Sequence, residues 1–325
     1  MRSNFINSLF LARFGIQIRL DTNLFLPGFK GAAFRGGFGY VFKGIVCPMH
    51  DQDCIHSRLG DPCIYSEVFE TPVPSGSSVM RKYPYAPHPF VLTPPLDRRA
   101  HFAAGTDLNL ELVLVGRAIP WLAYFIHTLE ELGRRGVGPH RSRYGIARVV
   151  SFKDTDGTGG AEQVLVYDGV GRKVVASPQV FDGRGFGARK GGRRAVTLSL
   201  LTPARIISNE KLATQLPFST FLRALVRRIA LLSYFHCGQE ADVSLIRQLI
   251  ERAASIRTTR SGLRWRDWSR FSTRQQTLIK LGGLVGEITY EGDLDPFLPF
   301  LRAGELTHVG KGTSFGLGRY VLQEG

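Results

Sequence analysis

The segment THVGKGTSFGLGRYVL runs from Thr307 to Leu322 and places four glycines around Lys311 and Arg319. Glycine lacks a Cβ, so a chain this rich in it can adopt positive φ and let a large polyanion approach its N–H groups, while the cations supply countercharge. The segment predicts a surface that binds phosphate or nucleic acid. A plain turn joining a helix to a terminal strand is the alternative. The glycines are Gly310, Gly312, Gly316 and Gly318.

The spacing of these residues argues against a nucleotide-binding P-loop. That motif has the form G-x-x-x-x-G-K-[ST] and lies between a strand and a helix. Gly304 and Gly310 have one residue too many between them, and Gly312 stands where a Ser or Thr would bind magnesium. The residues after the segment, Tyr320 to Leu322, continue as a strand.

Charge points to a polyanionic partner. Lys and Arg number 42 against 27 Asp and Glu, a net charge of +15 in 325 residues, and such a balance suits nucleic acid or acidic lipid. No apolar run reaches the roughly 18 residues of a membrane span, and Arg13 and Arg19 interrupt the first apolar stretch. The sequence therefore predicts a cytoplasmic protein without an export signal or membrane partner.

The order β-α-β-β-α-β of a ferredoxin-like unit can be laid over the predicted elements of the first half of the chain. They are a strand at Phe10–Leu20, a helix at Phe29–Val46, strands at Ile64–Glu70, Phe90–Thr93 and Leu108–Val115, a helix at Pro120–Arg135 and a strand at Tyr144–Phe152.

A glycine-rich, basic stretch from Gly157 to Arg194 predicts a flexible region and a domain boundary. The predicted domains are 1–190, with a cysteine-bearing insertion, and 191–325. The second repeats the first plan, so the predicted fold class is α+β, with tandem ferredoxin-like (RRM-like) βαββαβ domains and a C-terminal glycine-rich loop. Its elements are a strand at Val196–Leu201, helices at Phe218–Phe235 and Val243–Ile256, strands at Leu263–Phe271 and Thr277–Glu291, a short helix at Pro296–Leu301 and a final strand.

Two basic clusters are further candidates for binding RNA. Arg193 and Arg194 close the basic stretch, where a solvated loop is the alternative. Arg264 and Arg266 alternate with tryptophans in RWRDW, and arginine and aromatic faces stack on bases. Neighbouring side chains of a strand face opposite sides, so the tryptophan-bearing face is predicted to belong to the core.

The chain resembles the CRISPR-associated endoribonucleases of the RAMP superfamily that process precursor CRISPR RNA. The resemblance rests on three stretches: GKGTSFGLG at 310–318, CIYSEVFE at 63–70, and the helix Phe218–Gly238 with its end FHCG. It implies cleavage of CRISPR repeat RNA without metal or cofactor, leaving a 2′,3′-cyclic phosphate and a 5′-hydroxyl. The alternative is a non-catalytic RAMP subunit that binds crRNA alongside other CRISPR effector subunits.

Relatives of this kind often use a histidine in or just after the first helix, with a tyrosine and a lysine nearby. The resemblance thus implies His56 as the leading catalytic residue, His50 as the alternative, and Tyr40 and Lys43 as helpers. A surface role is the alternative for each histidine. His308 could also point at the scissile phosphate, beside the RNA-binding Lys311, Ser314 and Arg319.

The four cysteines are predicted to be reduced thiols, because the chain has no export signal. Cys47, Cys54 and Cys63 are close enough in sequence to share a zinc ion, with Cys237 or a histidine as fourth ligand. Their spacings of six and eight residues miss the usual C-x2-4-C pairs, so no metal site is favoured. His236 ends a predicted helix, where a buried or capping role is expected.

Overall fold

The computed structural model describes residues 5–26, 29–47, 63–77, 79–80, 83–97, 99–153, 162–187, 194–272 and 277–324. Within these ranges no helix is long and apolar enough to cross a membrane. The helices are α1 (Gly31–Val46), α2 (Ile64–Val68), α3 (Leu122–Arg135), α4 (Phe218–Cys237), α5 (Val243–Ala253) and α6 (Leu298–Thr307).

The strands form two principal antiparallel sheets and three short hairpins or bridges. In the first half they are β1 (Leu11–Leu20), β2 (Leu24–Phe25), β3 (Phe90–Thr93), β4 (His101–Phe102), β5 (Asp107–Val115), β6 (Tyr144–Phe152), β7 (Gln163–Asp168) and β8 (Lys173–Val174). In the second half they are β9 (Ala195–Ala204), β10 (Ile207–Ser208), β11 (Lys211–Leu212), β12 (Arg257–Ser261), β13 (Arg264–Arg266), β14 (Ser269–Ser272), β15 (Thr277–Lys280), β16 (Gly283–Glu291) and β17 (Tyr320–Glu324).

The first sheet has the strand order β3-β5-β1-β6-β7-β8. Its strands β1, β3, β5 and β6, together with α1 and α3, follow the β-α-β-β-α-β order of a ferredoxin-like unit. Successive side chains of a strand point to opposite faces of the sheet. Every second residue of β1, namely Phe14, Ile16 and Ile18, therefore points to the same face, and these three are fully buried in the core beneath the helices.

The second sheet has the order β12-β16-β9-β17, and β13 also pairs with β16. The strands β9, β12, β16 and β17 combine with α4 and α6 in the same plan as the first unit, with α5 added after α4. Leu198 of β9, Leu225 of α4 and Leu301 of α6 are all fully buried in one core. The chain is therefore an α+β protein built from two antiparallel sheet domains.

The two domains share buried surface. Phe5, Ile6 and Leu9 precede the first sheet, yet they are buried in the core of the second. At the other side of the junction, a Cβ on Gly116 would lie 1.9 Å from the carbonyl oxygen of His236 at the end of α4. Only a glycine permits so close an approach of two backbones.

Residues 308–318 lie between the domains and are called the glycine-rich segment below. Gly318 has φ +69°, and a Cβ there would stand 1.8 Å from the carbonyl oxygen of Val309. On the first-domain side, a Cβ on Gly31 would stand 2.2 Å from the carbonyl oxygen of Phe315. The segment thus packs closely against the start of α1.

Two predictions about elements differ from the structure, and a third cannot be compared with it. Ile64–Glu70 was expected as a strand, but Ile64–Val68 forms the short helix α2, which buries Tyr65 and Val68 beside α1. The stretch 157–194, predicted to be flexible, contains β7 and β8, which extend the first sheet. The predicted domain boundary near residue 190 lies outside the described residues.

Replacing Gly318 with alanine should destabilise the protein by at least about 2 kcal/mol, because the new Cβ meets both positive φ and a backbone oxygen. Gly44→Ala is the matched control, since a Cβ at Gly44 meets no atom within 4 Å. Because Gly44 lies within α1, Gly44→Ala should increase the free energy of unfolding by roughly 0.5–1 kcal/mol. Urea unfolding of both variants measures the difference, and equal effects would contradict the packing described.

Glu305 of α6 should make stability depend on pH. Its Oε1 accepts a hydrogen bond from the Leu322 amide at 2.8 Å, and burial raises the pKa of its carboxyl from 4.5 to about 7. Between these values the folded chain holds a proton that the unfolded chain has lost, so stability falls as pH rises through this interval.

Glu305→Gln keeps the acceptor oxygen and cannot ionise. Relative to the wild type, its free energy of unfolding should increase by up to about 3 kcal/mol between pH 4.5 and 7. Chemical unfolding at a series of pH values measures this difference. A constant difference across the series would show that folding leaves the pKa of Glu305 unshifted.

Candidate nucleic-acid interface

A cleft of about 2470 Å³ opens between the two domains. One wall is α1, and the opposite wall is the first half of α4. The cleft is also lined by the turn at 136–141, the chain at 205–209, residues 310–315 of the glycine-rich segment, and residues of α2 and of the segment before β3. A groove of this size accommodates several nucleotides rather than one small metabolite, since drug-sized ligands occupy roughly 300–1,000 Å³.

The charge of the cleft is one-sided. Among the described residues that line it there are nine Lys and Arg side chains and no Asp or Glu. A concave surface with one sign of charge concentrates its field and attracts polyanions. The cations are Arg35, Lys43, Arg135, Arg141, Arg205, Arg223, Arg227, Arg228 and Lys311.

The glycine-rich segment is held by the second sheet at its base. The Gly318 amide donates to the carbonyl of Pro203 at 3.0 Å, and the Thr202 hydroxyl donates to the carbonyl of Gly316 at 2.8 Å. At its tip, the amides of Gly310 and Gly312 donate to no acceptor among the described residues. These two amides are available to an anion in the cleft.

A neutral imidazole lines the cleft beside Arg35. The Arg35 Nη2 donates to His88 Nε2 at 2.8 Å, and because a guanidinium only donates, the His88 proton resides on Nδ1. Burial, then the charge of Arg35, hold the pKa of His88 well below its usual value. The Arg35 guanidinium also lies over the rings of Phe69 and Phe315, at 4.5 and 4.7 Å.

Two predicted catalytic residues lie on the α1 wall. Tyr40 is 77% exposed, and Lys43, one turn later, has its Nζ 5.5 Å from the ring of Tyr65. Both line the cleft. The other two candidates, His50 and His56, lie outside the described residues.

An aromatic side chain and an arginine face each other across the domains. Tyr83, from the loop before β3, is 53% exposed, and the Arg227 guanidinium of α4 lies 6.0 Å from its ring. Arg223 lies one turn earlier on α4 and lines the same wall. Exposed tyrosine and arginine planes are the groups on which unpaired bases stack.

The structure separates the predicted RNA-binding residues into three groups. Gly310, Lys311, Gly312 and Ser314 line the cleft. Gly316, Gly318 and Arg319 lie behind it, with the Arg319 guanidinium 3.8 Å from Glu111. Arg194, Arg264 and Arg266 are not among its lining residues, and Arg193 lies outside the described chain.

His308 differs most from its predicted position. It is fully buried, and its Nδ1 donates to the carbonyl of Leu317 at 3.1 Å. Burial and the nearby charges of Arg319 and Arg228 hold its pKa well below the usual value. His308 therefore stabilises the glycine-rich segment from within instead of facing an RNA strand.

One of the two tryptophans of RWRDW also differs from expectation, whereas Trp268 packs against a small hydrophobic cluster. Trp265 was predicted to be in the core but is 40% exposed, with Nε1 donating to Asp267 at 2.7 Å. Trp268 stacks on Phe29 at 4.5 Å, and the Arg266 guanidinium lies 4.8 Å from the Trp268 ring. His236, by contrast, is buried as predicted, with Nε2 donating to the carbonyl of Pro87 at 2.7 Å.

The cysteines lie in separate places. Cys47 and Cys63 are in the core of the first domain, and Cys237 packs with the core of the second. In the part of the chain that the structure describes, no three His, Cys, Asp or Glu side chains are grouped to hold a metal ion. Cys54 lies outside that part.

Sequence reasoning missed most of the cleft's cations. The three arginines of α4 could have been found from the sequence, because Arg223, Arg227 and Arg228 recur at helical spacing. They interrupt an otherwise apolar helix, which places them on one side of it. His88 had only a weak signal, a histidine between two prolines just before a buried strand.

Two family models match this chain. A model of an N-terminal domain matches residues 9–179, more than half of the chain. A model described as CRISPR-associated endoribonuclease Cas6 matches residues 198–320. An uncharacterized protein from Archaeoglobus fulgidus is 27% identical over 324 residues, covering 95% of this chain and 99% of that protein.

Solved structures share the fold at low identity. Thermus thermophilus Cas6 has a TM-score of 0.56 and 14% identity, covering 97% of this chain and 99% of that one. A Cas6 product complex has a TM-score of 0.57 and 15% identity, with 96% and 99% covered. A chain of a partial Cas6-RT-Cas1–Cas2 complex reaches 0.57 at 13% identity, with 98% of this chain but 46% of that one covered. The chain therefore has a Cas6-like tandem fold of two antiparallel sheet domains, and its residues 198–320 match the family of CRISPR-associated endoribonuclease Cas6.

Proposed function

We propose that this protein binds CRISPR repeat RNA in the inter-domain cleft and cuts precursor crRNA there without a metal ion. The observation that carries the proposal is the lining of the cleft, where nine cations stand with no Asp or Glu among the described residues. An enzyme that held magnesium at this surface would need carboxylate ligands. A surface of arginines and backbone amides instead suits the phosphates of RNA directly.

In the proposed reaction the RNA supplies its own nucleophile. The 2′-oxygen loses its proton to a base and attacks the adjacent phosphorus, the bond from phosphorus to the 5′-oxygen breaks, and that oxygen takes a proton from an acid. The products are a 2′,3′-cyclic phosphate and a 5′-hydroxyl. Charge that grows on the non-bridging oxygens needs fixed cations and N–H donors.

The α1 wall and the glycine-rich segment can supply these groups. Tyr40 and Lys43 offer a hydroxyl and a cation on one face of α1, and Gly310 and Gly312 offer amides without acceptors in the described chain. His56, with His50 as the alternative, is proposed for proton transfer because both follow α1 in the sequence. The resemblance to relatives with a histidine at that place supports this assignment.

A binding-only function is the second candidate, and one observation favours it. His88 is the only histidine among the described residues that line the cleft, and its Nε2 is occupied by Arg35. A subunit that holds crRNA without cutting it would need only the arginines and amides. Incubation with end-labelled repeat RNA in EDTA separates the two candidates, since only the nuclease yields a single cut with a cyclic phosphate end.

A 2′-deoxy substitution at the cut nucleotide should abolish cleavage and leave binding unchanged, because it removes the nucleophile but no phosphate. Denaturing gels measure cleavage, and filter binding measures affinity on the same RNA. The matched control carries the 2′-deoxy group one nucleotide away and should be cut normally. Cleavage of the first RNA would rule out attack by the 2′-oxygen.

Tyr40→Phe, Lys43→Met and His56→Ala should each slow cleavage, with the largest loss, roughly a hundredfold or more, for the proton-transfer residue. Single-turnover rates with saturating protein measure the chemical step. Tyr124→Phe and Lys173→Met alter exposed residues outside the cleft lining and should cleave at the wild-type rate. If His56→Ala does so too, His50→Ala becomes the decisive variant.

A further inference from the structure

Arg228 is a buried cation with unused hydrogen-bonding capacity. It lies on α4 and is 9% exposed, yet it lines the inter-domain cleft. Its Nε donates to the carbonyl of Thr307 at 2.7 Å. Its Nη2, in contrast, has no hydrogen-bond partner among the described residues. One edge of the guanidinium therefore holds the chain just before the glycine-rich segment, and another nitrogen is left without an acceptor.

No carboxylate offsets this charge within the described chain, where Arg228 forms no salt bridge. Burial alone lowers the pKa of Arg228 to about 9, which leaves the guanidinium protonated at neutral pH. Its charge helps to depress the pKa of three nearby histidines, His88, His236 and His308. Its surroundings are therefore neutral or positive, and a buried, unpaired charge of this kind is expensive to maintain.

We propose that Arg228 binds a non-bridging oxygen of a phosphate in the cleft, forming an anion subsite on the α4 wall. The ligand class is a phosphodiester of the RNA backbone, so this part rests on the proposed function. The subsite is distinct from the amides of Gly310 and Gly312, because it uses a side chain of α4. An anion there would complete the hydrogen bonds of the guanidinium and neutralise it.

The alternative to an anion site is a structural role, in which Arg228 is linked to His308 through a water molecule. His308 Nε2 is also buried without a partner in the described residues, and it is an acceptor because Nδ1 donates to Leu317. A water molecule could bridge Arg228 Nη2 to His308 Nε2. His308, however, does not line the cleft and Arg228 does, so of the two side chains only Arg228 borders the space that an anion would enter.

Inorganic phosphate is the first probe, because it shares the ligand's chemistry and needs no RNA. The ionic strength is kept constant while chloride is replaced by phosphate. At a phosphate concentration of about ten times the Kd for phosphate, the Tm of the wild type should rise by roughly 2–4 °C. Arg228→Met should lose this shift. Lys173→Met, which removes an exposed cation outside the cleft lining, should retain it. An equal shift in Arg228→Met would overturn the proposal.

Repeat RNA made uncleavable by the 2′-deoxy substitution is the second probe. Arg228→Met should weaken binding about tenfold or more and lower the slope of log affinity against log salt by about 0.7, the value for one phosphate contact on a single strand. Arg228→Lys should recover part of both. Unchanged affinity and slope in Arg228→Met would show that no backbone phosphate binds there.

The two probes separate this inference from the proposed function. If the wild type fails to bind repeat RNA, the function is wrong, while the phosphate experiment still tests the subsite. If Arg228→Met does not fold, ¹⁵N NMR of the arginine side chains in the wild type replaces it. Phosphate should then shift one buried guanidinium signal that is absent from Arg228→Lys, and no such shift would contradict the proposal.

Discussion

The packing of the glycine-rich segment between the two sheets is the constraint on which the cleft depends. Its base is tied to the second sheet through Thr202 and Pro203, and Arg228 holds the preceding carbonyl of Thr307. Its other side meets the first domain, where a Cβ on Gly316 would lie 3.3 Å from the carbonyl oxygen of Leu92. Because both sides are close backbone contacts, α1 and α4 are kept at a defined separation.

This packing also explains the roles of the segment's residues. The glycines at its base are buried and accept or donate hydrogen bonds within the protein, so they shape the turn. Those at its tip, Gly310 and Gly312, have amides that no described residue occupies. A segment that appears uniform in sequence is thus divided into a structural half and a half that faces the cleft, and His308 belongs to the structural half.

The concentration of positive charge in the cleft lowers the stability of the folded protein. Arg35 is placed between two aromatic rings and beside a neutral histidine, and Arg228 is buried without a carboxylate. Such arrangements weaken an empty protein, because like charges repel and buried cations lose hydration. The proposed binding of a polyanion in the cleft would offset both costs and would thereby stabilise the domain junction.

Sequence patterns predicted most elements because those elements bury one face. β1 alternates, α3 and α4 have apolar residues at helical spacing, and the predicted bounds differ from the observed ones by one or a few residues. The short helix α2 was predicted as a strand, since a run of seven residues is too short to distinguish the two periods. Trp265 was misplaced because its strand pairs at the edge of the sheet, where a tryptophan can remain exposed.

The sequence by itself determined the two-unit plan, the positive charge and the glycine-rich segment, because periodicity, composition and glycine density are local properties. Only the tertiary structure decided which cations share a surface. Arg35 and Arg228 are 193 positions apart in the chain, and no local pattern relates them. They line the same cleft because the glycine-rich segment holds α1 against the second domain, and that contact exists only after both sheets have formed.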